Sequence, residues 1–201
     1  KLATEGTLDI ACGGRSYRQV VDCPAPQRLY RYFSMATECV GADVRNRHPL
    51  WSLLTNNLLV RRSLLLEHPF DQAYHGWGFE DADWALRLHD VGAIHIDNTA
   101  SHMGLPDESQ LLAKYDDSAG NFRHIYREVP ECRRFALFRA SRLLAWVPLP
   151  TSWLRRMARG LVLRRWLPMH LRYLGVHGYR AATYAGVLRA DARAAATPLR
   201  E

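Results

Sequence analysis

Lysine is almost missing from this chain: Lys1 and Lys114 are the only two among its 201 residues, so arginine carries nearly all of the positive charge behind a formal net +7. That balance selects partners of negative sign, and a nucleic acid, an anionic membrane surface and a sugar diphosphate all fit it. Cysteine is scarce and scattered. Cys12, Cys23, Cys39 and Cys132 form no C-x-x-C pair, which excludes a zinc ribbon and a dense disulfide framework and reads as free thiols in a reducing compartment. Long apolar runs are also lacking. The longest, 143–150, contains proline and falls far short of the roughly 20 residues that cross a bilayer. No charged-then-apolar leader opens the chain, which starts at Lys1 rather than methionine and reads as a fragment or a processed product.

What is present is an ordinary globular composition, 48% hydrophobic and 23% charged, enough for one substantial core. Residues 7–11 and 17–21 read as short strands around Gly13-Gly14, a turn or a close backbone approach. Apolar positions Leu29, Tyr32, Phe33, Ala36 and Val40 recur at helical spacing, predicting a helix over 27–39. Residues 56–60 read as a buried strand and 63–67 as a short helix stopped by Pro69. His75-Gly76-Trp77-Gly78-Phe79 has the composition of a tight loop presenting an aromatic face. Glu80 and Asp81 then open a helix to about Asp90 with Trp84, Ala85 and Leu88 on its apolar face, Arg87 pairing with Asp83 at i, i+4 and Gly92 as its stop. Residues 93–96 form a short strand and 97–102 a loop. After Arg133 the chain becomes arginine-rich and helical, over 135–146, 151–166 and 169–187, with prolines between, and its last dozen residues are expected to fray. Trp153, Leu154, Met157 and Leu161 share one face of the middle helix, with Arg155, Arg156 and Arg159 to the side, which suits either an anionic membrane interface or packing on the rest of the protein.

The informative stretch is 56–104. Asn56-Asn57, Phe70-Asp71, the run Gly76-Trp77-Gly78-Phe79-Glu80-Asp81-Ala82-Asp83-Trp84, Arg87-Leu88, Gly92 and His102-Met103-Gly104 together resemble the C-terminal half of GT-A glycosyltransferases, chiefly bacterial family 2 enzymes and the galactosyltransferase C-terminal region. The ordered series is specific where a lone Glu-Asp would not be. It covers about a quarter of the chain strongly and residues 1–130 loosely.

The resemblance implies an α/β chain: the acceptor-binding, catalytic part of a GT-A nucleotide-diphospho-sugar transferase fold over 1–130, and an arginine-rich helical extension over 131–201. It implies transfer of a sugar from a nucleotide-diphosphate donor to a glycan or lipid-linked acceptor, with inversion, as in bacterial polysaccharide biosynthesis. Such a reaction needs a base for the acceptor hydroxyl's proton. By resemblance Asp81 is that base, a carboxylate that a helix N-terminus would hold ionised. Glu80, Trp77, Gly78 and Asn57 would bind the acceptor, Trp77 through the apolar face of a pyranose, and His102 would ligate a divalent cation, Mn or Mg. Helix capping for the acids and a core role for Trp77 are the bland alternatives. Asp81-Ala82-Asp83 matches the family's Asp-x-Asp metal motif as text only, because it lies in the acceptor helix. The nucleotide-binding half of such enzymes, roughly one small domain, is therefore expected upstream of Lys1. A cytoplasmic protein, peripheral on the inner face of the plasma membrane, follows from the same likeness. The competing class is a non-catalytic carbohydrate- or membrane-binding module that kept only the acceptor surface. Nucleic acid is set aside as a partner, since no recognition motif accompanies the arginines.

Overall fold

Ile10–Cys12 is the first strand, β1, and it lies at the centre of a three-stranded sheet. The computed structural model describes residues 8–88 and 91–196. β1 pairs antiparallel with β3, Leu58–Val60, in the register Ile10↔Val60, and parallel with β4, Ala93–His95, in the register Ile10↔Ala93. Two further short strands, β2 at Arg15–Ser16 and β5 at Ala100–Ser101, form a parallel pair. The ladder moves off the expected second strand because β2 ends at Ser16: Tyr17 and Val20 bury their side chains across a turn in which the Val20 N–H donates to the Tyr17 carbonyl at 3.1 Å. Thr7, placed in the first expected strand, lies outside the described residues.

The chain divides into two compact units, one formed by the residues up to Tyr74 together with Phe79–Asp107, the other by His75–Gly78 and the residues from Glu108. In the first unit, helices α1 (Arg28–Thr37), α2 (Ala42–Arg45), α3 (Arg62–Glu67) and α4 (Glu80–Arg87) accompany the sheet. α1 and α3 match the expected spans to within two residues. The strand expected over 56–60 is shorter and only half-buried, since residues 55–57 form a 3-10 turn and Leu59 is exposed. The core gathers Ile10, Cys12, Leu53, Leu64, Trp84, Ala85 and Leu88. The α4 apolar face is thus the one read from periodicity. Trp84 is fully buried, stacks on Phe70 at 5.0 Å and donates its indole N–H to the His68 carbonyl at 2.6 Å. α4 ends at Arg87, because Leu88 turns extended (φ −84°, ψ 95°) to bury its side chain, short of the end expected at about Asp90, which lies outside the described residues. Gly92 instead takes the N–H groups of Asp9 and Ile10 on its carbonyl, which starts the β1 ladder.

The second unit is helical: α5 (Glu108–Asp117), α6 (Ala119–Glu128), α7 (Ala136–Trp146), α8 (Thr151–Leu163) and α9 (Met169–Ala196). α9 packs against the other four, which is why it buries residues all round rather than along one stripe. Gly175 and Gly178 let α8 approach closely, and Phe122 stacks on Tyr184 at 4.4 Å and on Phe138 at 5.0 Å. Glu108 and Arg172, both buried, pair at 2.7 Å. Apart from His75–Gly78 the unit begins at Glu108, ahead of the helical extension expected from residue 131, because α5 and α6 spend their apolar residues Leu111, Tyr115, Phe122 and Ile125 on this helical core. The architecture is mixed α/β, mainly helical with a small sheet. Among the described residues, no helix is long and apolar enough to cross a membrane.

Candidate functional site

Three backbone positions in the left-handed region lead into α4. Gly76 has φ 73°, Gly78 φ 99° and Phe79 φ 77°. A bulky residue in that region is strained by about 1–3 kcal/mol and persists only where its surroundings fix it. Phe79 is also the residue that caps α4, its carbonyl accepting the Asp83 N–H at 2.8 Å. Within the second unit, the preceding loop is held by the amide of Asn121: its Nδ2 donates to the carbonyls of His75 (2.9 Å) and Gly78 (3.0 Å), and its Oδ1 accepts the His75 N–H at 3.1 Å. Trp77 tilts on Tyr115 at 5.6 Å with the Lys114 ammonium 5.5 Å from its ring, and 38% of its surface stays exposed. The expected tight loop with an accessible indole is therefore present.

Glu80, Asp81 and Asp83 all fall in the first turn of α4, where backbone N–H groups lack intrahelical partners and negative charge is favoured. Their surroundings differ sharply. Asp81 Oδ1 accepts the Thr55 hydroxyl at 2.6 Å and its Oδ2 accepts the Thr55 backbone N–H at 3.2 Å. Glu80 Oε2 is buried and makes no hydrogen bond among the described residues. Asp83 is buried against Arg87, whose Nε donates to Oδ2 at 2.9 Å while Nη2 donates to the Pro69 carbonyl. Burial, aided by the nearby Asp83 carboxylate, pushes the Tyr74 hydroxyl well up.

Thr55 opens the 3-10 turn that ends at Asn57, and this turn ties Asp81 to a backbone frame. The Asn57 Nδ2 donates to the Gly14 carbonyl at 2.9 Å and to the Asn98 carbonyl at 2.8 Å, and its own carbonyl accepts the Gly13 N–H at 3.0 Å. A Cβ at Gly13 would collide with the Asn57 amide and the Asn98 carbonyl, and Gly14 holds φ 80° with the Arg45 guanidinium 2.6 Å from where its Cβ would stand. Glycine at both positions is thus required by close approach. Arg45, 2% exposed, is the hub beneath: it donates to the carbonyls of Val40, Cys12 and Ile96, to Asp97 Oδ1 and to His95 Nδ1, whose Nε2 in turn donates to the Pro49 carbonyl. Burial alone would raise the Cys12 thiol, yet hydrogen bonding with His95 and with the backbone at Gly14 and Leu54 brings it below its ordinary value.

His102 follows β5 in the same unit. Its ring stands edge-on to Tyr17 at 6.1 Å and tilted to Tyr30 at 6.3 Å, and its backbone N–H donates to the Ser16 carbonyl. Among the described residues no three His, Cys, Asp or Glu side chains converge as metal ligands. Tyr17 and Tyr30 are aromatic neighbours of His102, and the described residues do not by themselves make up a divalent-cation site.

Of the residues singled out from the sequence, Asn57, Glu80, Asp81 and His102 belong to the first unit, and Trp77 and Gly78 to the second. Asp81 and Asn57 are joined through Thr55, and the Asn57 amide N–H groups are spent on carbonyls. Thr55, Arg45 and Asn121 were missed. Their partners are distant in sequence, and only the Thr-Asn-Asn run ahead of a strand hinted at the first. Compared with family models, with curated proteins and with solved structures, the chain has no match.

Proposed function

We propose that this chain supplies the acceptor-side catalytic carboxylate of a glycosyl transfer from a nucleotide-diphosphate sugar to a glycan or lipid-linked acceptor. Asp81 takes the proton of the acceptor hydroxyl as that oxygen bonds to the anomeric carbon, and the bond from that carbon to the diphosphate oxygen breaks with its electron pair leaving on the nucleoside diphosphate. Glu80 accepts hydrogen bonds from acceptor hydroxyls. Asn57 acts one step back, fixing the turn that carries Thr55. The divalent cation implied by the resemblance would find one ligand here, His102, and no step above depends on it.

The observation that carries this reading is the double hydrogen bond from Thr55 to Asp81. It fixes the carboxylate's orientation in the first turn of α4, and a carboxylate has about four acceptor positions, of which two remain for substrate. The strained Phe79 immediately before the pair supports it, since such strain clusters at functional loops. A second reading draws on the same contact: a carboxylate already serving Thr55 suits a non-catalytic module in which Asp81 only braces the fold.

Asp81→Asn separates the two. Asparagine keeps one oxygen for the Thr55 hydroxyl, but its amide N–H₂ cannot accept the Thr55 backbone N–H and cannot take a proton. Both readings therefore expect a stability loss of about 1–3 kcal/mol, and only catalysis adds a loss of about 10²–10⁴ in the rate of nucleoside diphosphate release by the folded variant. Wild-type turnover by a folded variant would end the catalytic assignment.

A further inference from the structure

Between Glu131 and Asp191 the chain has no aspartate or glutamate, and it has twelve arginines. This stretch covers α7, α8 and most of α9. The inward side of α8 is well used: Ala158 and Val162 are buried, with Gly175 and Gly178 of α9 against them. The outward side of a surface helix is ordinarily polar. Here it carries Trp153, Met157 and Leu161, at i, i+4 and i+8, all exposed. The stripe is extended at both ends. Trp146, 84% exposed, closes α7 just before the turn into α8. At the other end Leu161 lies against Gly175, beside the exposed Leu174 of α9, and Trp166, 77% exposed, stands in the α8–α9 connection.

The arginines divide into two sets. Arg155 is turned inward, to Asp116 at 2.9 Å and the Tyr179 hydroxyl at 3.1 Å, so it leaves the group that the sequence placed beside the apolar face. Arg165 and Arg172 hold Glu108, and Arg189 caps the last carbonyls of α7. Arg139, Arg142, Arg156, Arg159 and Arg164 are exposed and pair with no carboxylate among the described residues.

We propose that this α7–α8 surface docks the chain on an anionic lipid bilayer. The indoles and aliphatic side chains enter the interfacial layer, and the guanidinium groups beside the stripe, Arg156 and Arg164, meet lipid phosphates. The combination selects the occupant. A nucleic acid would satisfy the arginines and leave Met157, Leu161 and Leu174 nothing to bury against. A second copy pressed on the same face would bring two sets of unpaired arginines together, which costs energy. A bilayer surface takes both kinds of group at neighbouring depths. This inference is independent of the sugar-transfer reading.

The test uses the whole chain with two kinds of vesicle, phosphatidylcholine alone and phosphatidylcholine mixed with phosphatidylglycerol. Flotation should show binding to the anionic vesicles that is roughly tenfold or more stronger than to the neutral ones and that weakens with added salt. Brominated acyl chains should quench the tryptophan emission of the wild-type chain. Arg156→Glu with Arg164→Glu should lower binding by roughly tenfold or more, and Trp146→Ser with Trp153→Ser should lower it with the net charge unchanged. Far-UV circular dichroism checks that each variant is folded, and the quenching measurement needs no variant. Equal binding to both vesicles, no binding to either, or anionic binding without quenching would each overturn the proposal. So would a dimer in solution that the tryptophan substitutions dissociate, which would give the face to a second copy.

Discussion

Thr55 gives two hydrogen bonds to Asp81, one from its hydroxyl at 2.6 Å and one from its backbone N–H at 3.2 Å. The two residues are 26 positions apart, so the pair joins the first turn of α4 to the 3-10 turn ahead of β3. Thr55→Val deletes the shorter bond and leaves the backbone one, which lets the carboxylate swing. The expected cost is about 1.5 kcal/mol of stability, because the acceptor is charged, together with, on the proposed transfer reaction, a lower kcat at unchanged donor KM. Urea denaturation and steady-state kinetics check both, and a Thr55→Val variant with wild-type midpoint and kcat would show that this contact orients nothing.

Arg45 makes the larger energetic statement. Its guanidinium serves three backbone carbonyls, His95 and Asp97 from a position only 2% exposed. Arg45→Met preserves bulk and leaves buried acceptors unsatisfied. The expected loss is at least about 3 kcal/mol. Arg45→Lys recovers little of it, since one ammonium cannot reproduce the planar fork. A shift under about 1 kcal/mol in the stability measured by urea denaturation, for either variant, would contradict the hub role.

Local pattern explains which parts were legible in the sequence. The Asp83–Arg87 pair is an i, i+4 relation, and it is present at 2.9 Å. Trp84, Ala85 and Leu88 follow helical periodicity, and all three are buried. Gly76 and Gly78 adopt the positive φ that their loop composition called for. What stayed hidden depends on contacts between distant positions. An arginine in a four-residue helix carries no mark that it will be buried, because arginines are mostly exposed. Thr55 is an ordinary threonine until Asp81 arrives. The division of the chain was hidden for the same reason: composition changes after Arg133, but Tyr115 and Phe122 commit α5 and α6 to α9 much earlier.

His177 in α9 gives a pH dependence. It packs edge-on to Tyr173 at 4.6 Å, and burial, with the Arg180 charge beside it, lowers its affinity for a proton below the ordinary histidine value. The unfolded chain therefore binds a proton there more readily than the folded one. The contribution is fully present above the unfolded value of about 6.5 and is lost as pH falls below it. His177→Gln should flatten that part of the acid limb, seen as a smaller drop in melting temperature between neutral and mildly acidic buffer. Parallel curves for the two chains would remove His177 as a source of acid sensitivity.

The last expectation concerns Glu80, whose Oε2 is buried and makes no hydrogen bond among the described residues. An unsatisfied buried oxygen costs roughly 1–3 kcal/mol, and a charged group more, so a purely structural residue would not be expected to stay in that state. If the oxygen waits for an acceptor hydroxyl, the cost is a trade of stability for binding. Glu80→Gln removes the charge and keeps the length. The chain's stability should then be unchanged or raised by up to about 1 kcal/mol, while, on the proposed transfer reaction, the acceptor KM rises more than kcat falls, as for a group that binds ground and transition states alike. A structural role predicts the opposite pairing, with lower stability and unaltered KM. A melting temperature several degrees below wild type at wild-type acceptor KM would therefore take Glu80 out of the proposed acceptor site.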